Sequence, residues 1–218
     1  MFEPVKKLNA RIVALPFFGK VSAIHKARGQ KILSALCLLP LIGAMFAGRF
    51  GMLGPDPWFA GMQAMGSTAL TMLLLGLSVT PLVQAFAWNF LYPWRRTLGL
   101  FAFFYAVMHV LARMVVLGFN WQDITAELFS NPFYLAGLIT FLLLIPLAAT
   151  STRAMMARLG GKRWKRLHKL VYIAAILAIL HALQAGKAGY IENAPMAAWL
   201  VVLLGWRIAW PHMQKTHG

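Results

Sequence analysis

The chain has 218 residues, 60% of them hydrophobic and only 12% charged, whereas soluble domains carry about 25% charged residues. That composition argues against a water-soluble globule, and the single cysteine, Cys37, rules out an internal disulfide framework. Lys and Arg number 21 against 5 Asp and Glu, formally +16, but their placement along the chain marks membrane topology, not nucleic-acid binding.

A hydrocarbon core of about 30 Å needs about 20 helical residues to cross it. Residues 1–29 form a basic segment suited to lying against anionic membrane lipid. The first apolar run starts near residue 32, late for a cleavable secretion signal. Six stretches then reach spanning length, at residues 30–48, 66–88, 97–117, 132–150, 168–185 and 195–210, followed by a tail at 211–218. Barrel strands would be about ten residues long and would alternate in polarity. The expectation is therefore an all-α integral membrane protein, a six-transmembrane-helix bundle over 30–210. Asn131-Pro132 and Ala194-Pro195 put proline where a helix can begin. Pro40, Pro81 and Pro146 fall inside spans, where neighbouring helices satisfy the carbonyls they free. Arg207, near the end of the sixth span, is expected to reach toward the headgroups.

All basic residues except Arg49, Arg113 and Lys187 fall on one side of this topology, and Asp56, Asp123, Glu127 and Glu192 fall on the other. The positive-inside rule then puts both termini and the basic connections in the cytoplasm of a multi-pass inner-membrane protein. There is no Gly-rich phosphate loop and no GxGxxG after a strand, and the connections are too short for a nucleotide-binding domain. Any chemistry belongs in the bilayer or at its edge.

Of six histidines, His25, His212 and His217 lie in the basic segment and the tail, as solvated surface groups. His109 falls inside the third span and His181 inside the fifth, while His168 opens the fifth span at the basic side. Polar side chains within hydrocarbon are costly and mark functional paths. Spans three and five run the same way, so His109 and His181 sit at similar height. Each could donate a single interhelical hydrogen bond, or the pair could ligate a haem iron, for which histidine is a common ligand. Zinc would want further ligands, and a proton relay would recruit carboxylates, which no span contains. His168 and His181 are thirteen residues apart, about 19.5 Å on an ideal helix, which allows two cofactor levels but turns the two rings roughly 140° apart. Arg95, at the level of His168, reads either as a topology anchor or as a partner for a haem propionate, a quinone or a flavin. Arg113, one turn beyond His109, reads either as a propionate partner or as a side chain snorkelling to lipid phosphate.

The stretches SVTPL (78–82), RRTLGLFAFFYAVMHV (95–110), NPFYLAG (131–137) and TSTRAMMARLGGKRWKRLHKLVYIAAILAILH (150–181) together resemble the MsrQ (YedZ) family, within the ferric-reductase-like transmembrane group that includes the NADPH oxidases. The resemblance implies a b-type haem subunit, carrying one or two haems, of a methionine sulfoxide repair system. Such a subunit passes electrons to a periplasmic molybdopterin reductase of the MsrP type. It further implies quinone as electron donor, with FMN or a cytosolic flavin reductase as the other association. By motif, His109 and His181 correspond to the ligands of the outer haem and His168 to a ligand at the inner level. Relatives in the wider group carry a second histidine on the third span where this chain has Arg95. The inner site is thus left to a differently ligated haem, a flavin or a quinone. Rival readings are a direct ferric or oxygen reductase at the outer face, and a non-redox transporter or assembly subunit.

The charge asymmetry generates a direct test of orientation. In a Cys37→Ala background, Asp56→Cys and Glu192→Cys are expected to react with a membrane-impermeant maleimide in intact spheroplasts. Arg158→Cys is expected to react only after lysis.

Overall fold

In hydrocarbon every peptide group must find its partner within the protein, which for long apolar runs means α-helix. The computed structural model describes residues 16–185 and 189–216, with side chains over 27–185 and 189–213, and contains no strand among them. Lys187, His217, the basic residues before Pro16 and the side chains of Lys20, His25, Lys26 and Lys215 lie outside what is described. The helices are α1 (Pro16–Arg49), α2 (Pro57–Phe86), α3 (Tyr92–Val116), α4 (Trp121–Ser130), α5 (Pro132–Ala149), α6 (Arg153–Leu159), α7 (Gly161–Leu167), α8 (Leu170–Leu183) and α9 (Gly189–Thr216). Six segments are long and apolar enough to cross a membrane: Ala27–Arg49, Pro57–Phe86, Asn89–Val116, Pro132–Ala149, Gly161–Leu183 and Gly189–Met213. The six-helix reading of the sequence holds.

Met1–Leu39 and Pro40–Gly218 form separate compact units. In the first, the described helix exposes Ile32 and Leu36, as an apolar segment in lipid would. In the second, α2 packs on α3 and α5 on α8, α9 touches both α8 and α2, and α3 meets α5. The stripes that make these contacts follow helical spacing. Leu98, Ala102 and Tyr105 are buried on α3, and the next position on that face is His109. Thr140, Leu144 and Leu147 are buried on α5, on the face that begins with Phe133 and Gly137. Ala174 and Ala175 on α8 are fully buried; small side chains let transmembrane helices approach closely.

Several boundaries differ from the sequence reading, each for a local reason. α2 starts at Pro57 and not near 66, because the Asp56 carboxylate caps it by accepting from Phe59 N at 3.0 Å. The connections at 118–131 and 151–167 contain α4, α6 and α7: the Asn120 side chain starts α4 by accepting from Gln122 N, the Thr152 side chain starts α6 by accepting from Met155 N, and α7 follows Gly160 with no side-chain cap. α9 begins at Gly189, ahead of Pro195. Asn193 Nδ2 donates to Ala182 O and to Gly189 O, both at 3.0 Å, and ties the start of α9 to the end of α8. The fifth span is not one helix: α7 ends at Leu167 and α8 starts at Leu170, so His168 and His181 do not share the continuous helix on which they would lie 140° apart.

Arg207 does not reach for headgroups. Its NH2 donates to Leu77 O at 2.8 Å, its Nε to Tyr172 OH at 3.1 Å and its NH1 to Leu203 O at 3.2 Å. Leu77 O is the carbonyl whose helical partner would be residue 81, and Pro81 has no N–H to give. The guanidinium therefore fills the gap left by the proline and joins α2, α8 and α9. Trp199 Nε1 on Ser78 Oγ at 3.1 Å and Trp206 Nε1 on Gln84 Oε1 at 3.0 Å add two further links from α9 to α2.

Thermal unfolding in detergent should separate these links. Trp206→Phe is expected to cost about 0.6 kcal/mol, the average for interhelical hydrogen bonds in a membrane. Arg207→Met, which orphans a carbonyl, is expected to cost about 1–3 kcal/mol. Pro81→Ala in the Arg207→Met background should recover much of that loss by returning the N–H.

Candidate functional site

α3 and α8 each bring one histidine to the end of the bundle that carries Asp56 and Glu127. The imidazoles of His109 and His181 face each other with ring centroids 6.1 Å apart and planes at 85°. Both rings are partly buried. His109 Nδ1 lies 2.8 Å from Met62 O on α2, and His181 Nδ1 lies 2.8 Å from Phe133 O on α5. A carbonyl can only accept, so each Nδ1 carries the proton and donates it. This fixes the tautomer with a lone pair on each Nε2, the arrangement in which a histidine binds a metal while its other nitrogen is held by an outer partner. The Phe133 ring also stacks on His181, centroids 4.2 Å apart.

The spacing can be tested against a single shared metal. Two metal–nitrogen bonds of about 2.0 Å, plus a ring radius of roughly 1.1 Å on each side, put the centroids about 6.2 Å apart. The observed 6.1 Å matches. No group of three or more His, Cys, Asp or Glu side chains suited to a metal occurs among the described residues. Among the described residues the donor set is thus two neutral imidazoles at a separation one metal could bridge, which suits an iron whose other ligands come from a planar macrocycle.

Arg113, one turn beyond His109, pairs with Glu127 of α4, donates to Tyr134 OH at 3.3 Å and lies over the Tyr134 ring, 5.2 Å from its centroid. Its Nε is buried without a partner. The sequence paired Arg113 with a propionate or lipid phosphate. In the fold its NH2 is engaged by protein, and the buried Nε is a donor without a partner among the described residues.

His168 lies apart from the pair, after α7. Its ring stacks on Trp164, centroids 4.0 Å apart, and its Nε2 lies 3.0 Å from Thr150 Oγ1. That hydroxyl donates its own proton to Pro146 O at 2.6 Å, so His168 Nε2–H is the donor and Nδ1 keeps the lone pair. Trp164 Nε1 bonds Thr150 O at 2.9 Å and completes the cluster. Arg95 is exposed and makes no hydrogen bond among the described residues, but lies within electrostatic range of His168, Tyr172 and Arg207. All described carboxylates, Asp56, Asp123, Glu127 and Glu192, belong to the opposite end. The structure thus brings His109, His181 and Arg113 together at the acidic end and leaves His168 and Arg95 at the basic end.

Residues that sequence reasoning missed are the carbonyl acceptors of Met62 and Phe133, and Glu127 with Tyr134 around Arg113. Backbone acceptors leave no signature in side-chain identity. Glu127 had a trace, since an acid on the amphipathic α4 sits opposite one of the few basic residues of that side.

Residues 60–179 match the family model described as ferric reductase like transmembrane component. The chain is 40% identical over 196 residues to the protein-methionine-sulfoxide reductase heme-binding subunit MsrQ of Polaromonas naphthalenivorans, covering 88% of this chain and 89% of that protein. It is 42% identical over 193 residues to the subunit of the same name from Rhodospirillum rubrum, covering 87% and 92%. Magnetosome protein MamZ of Magnetospirillum gryphiswaldense is 41% identical over 178 residues, 80% of this chain but 28% of that protein. No solved structure matches.

A double-mutant cycle on Arg113→Gln and Glu127→Gln, read by thermal unfolding in detergent, is expected to give a coupling of about 1 kcal/mol. The side chains are 23% and 32% exposed, which keeps the value near the upper end for solvent-screened pairs.

Proposed function

This chain belongs to the ferric-reductase-like transmembrane family, and we propose that it is the haem-binding membrane subunit of a protein-methionine-sulfoxide reductase, carrying electrons across the bacterial inner membrane. The observation that carries the proposal is the facing pair of imidazoles, 6.1 Å apart, donated by two separate spanning helices and each locked by its Nδ1 onto a neighbouring backbone carbonyl. The names of the relatives from Polaromonas naphthalenivorans and Rhodospirillum rubrum support it.

In this reading His109 and His181 are the residues that would hold a b-type haem. The haem, when bound, supplies one-electron chemistry near the outer face. The protein's share is orientation and exclusion. The carbonyls of Met62 and Phe133 keep both rings in the tautomer that offers Nε2 and strengthen them as ligands. The apolar stripes of α2, α3, α5 and α8 keep water from the site. Arg113 offers its unpaired Nε to a carboxylate such as a propionate, its charge partly balanced by Glu127. At the basic end, the exposed Arg95 guanidinium and the Nδ1 lone pair of His168 form the donor side, where quinol or a flavin such as FMN delivers electrons. His168 there serves as the inner-level ligand or as a hydrogen-bond acceptor for that donor.

Sulfoxide reduction itself is assigned to a periplasmic molybdopterin partner of the MsrP type. A dithiol route needs two cysteines, and this chain has one. The acidic end, with Asp56, Asp123 and the short helix α4, is the side on which that partner would accept electrons.

The test is spectroscopic and functional. The purified protein is expected to show a haem Soret band. His109→Ala and His181→Ala should each abolish it and stop electron delivery to a co-expressed molybdopterin partner, while His25→Ala should do neither. Undiminished haem absorbance and turnover in both intramembrane variants would overturn the ligand assignment. Ferric or oxygen reduction at full rate without the partner would overturn the assigned electron acceptor.

A further inference from the structure

The two imidazoles are held by one device used twice. In each case the ring donates Nδ1–H to a carbonyl on the adjacent helix, and one helical turn beyond that carbonyl the same helix carries a glycine. For His109 the carbonyl is Met62 and the glycine Gly66; for His181 they are Phe133 and Gly137. The carbonyls lie 47 and 48 residues from their histidines along the chain, and the α2–α3 and α5–α8 pairs repeat the same carbonyl-to-glycine spacing of four residues.

The glycines are not incidental. A Cβ on Gly66 would lie 2.8 Å from His109 Nδ1 and 3.0 Å from its Cε1. A Cβ on Gly137 would lie 2.8 Å from His181 Cε1, 2.9 Å from Nδ1 and 3.2 Å from Nε2. Contacts under 3.0 Å are essentially never seen for real Cβ atoms, and each glycine has at least one, so an alanine forces the ring to move. The ring has little freedom to yield. Its Nδ1 is tied to a carbonyl on the very helix that carries the added methyl, and His181 is backed in addition by the Phe133 ring. At Gly43, Gly61, Gly99 and Gly205 an added Cβ would meet nothing within 4 Å.

We propose that Gly66 and Gly137 are positioning residues that set the rotation of the two imidazole planes, and hence the electronic state of the iron they hold. Each glycine lets its histidine lie against bare backbone, where hydrogen bond and steric floor together leave one ring orientation. The two helix pairs present those orientations at 85° to each other. This inference rests on the haem reading of the same site. Near-perpendicular axial imidazoles leave two iron d orbitals close in energy and give ferric low-spin iron a strongly axial EPR signal dominated by one large g value. Parallel planes separate those orbitals and give a rhombic signal.

The experiment compares wild type, Gly66→Ala, Gly137→Ala and Gly205→Ala as full-length protein in detergent, by haem-to-protein ratio, ferric EPR and redox titration. Alanine has the higher helix propensity, so none of these changes weakens its helix intrinsically. Wild type is expected to give the axial signal. Gly66→Ala and Gly137→Ala should weaken haem retention about ten-fold or more, as when outer partners of metal-bound histidines are lost, and shift any remaining signal toward rhombic with a changed midpoint potential. Gly205→Ala should match wild type. Unchanged EPR and potential in both glycine variants would overturn the proposal, as would a rhombic wild-type signal, which needs no variant to fold. A wild type without haem would instead remove the haem reading beneath it.

Discussion

Two hydrogen bonds carry more of this molecule than their number suggests: His109 Nδ1 to Met62 O and His181 Nδ1 to Phe133 O. Each joins a spanning helix to its main packing partner, and each decides which imidazole nitrogen keeps a lone pair. An imidazole in hydrocarbon without such a partner would be a cost to the fold. With it, the ring is both satisfied and aimed. The partner is a backbone carbonyl, so the geometry is set by helix position and survives exchange of the Met62 or Phe133 side chain for another of similar bulk.

The same constraint, that polar groups in the bilayer must be paired inside the protein, explains the opposite end of the bundle. Pro81 leaves the Leu77 carbonyl without its helical donor, and Arg207 from α9 supplies one. Tyr172 and Leu203 complete the arginine's partners. At the other end Arg113 meets Glu127 and Tyr134. The two ends are thus built differently: the acidic end balances its arginine with a carboxylate, whereas the basic end uses backbone and phenol oxygens and keeps net positive charge. Under the proposed function that polarity suits a relay whose donor carries negative charge or carbonyl oxygens and whose acceptor lies across the membrane.

Much of the architecture was legible in the residues. Apolar length and charge asymmetry revealed six spans, and Asn131-Pro132 marked the start of α5. The helices inside the connections were harder to see, because α4, α6 and α7 are short; α4 and α6 depend on the single capping side chains Asn120 and Thr152, and α7 has no side-chain cap at all. Pro195 misled as a helix start because it lies inside α9, six residues past Gly189, and transmembrane helices accommodate interior prolines. Arg207 was read as snorkelling because the sequence does not show that the carbonyl opposite it has lost its own donor.

Hydropathy, charge placement and histidine depth belong to each segment alone, since they reflect how that segment partitions between water and lipid. They sufficed for the span count and for the pairing of His109 with His181 at one height. Ring tautomer, the 85° between ring planes, the clearance at Gly66 and Gly137 and the break at His168 were decided only in the folded bundle. Each depends on which turn of one helix faces which turn of another, and helix packing sets that register through contacts between residues far apart in the chain.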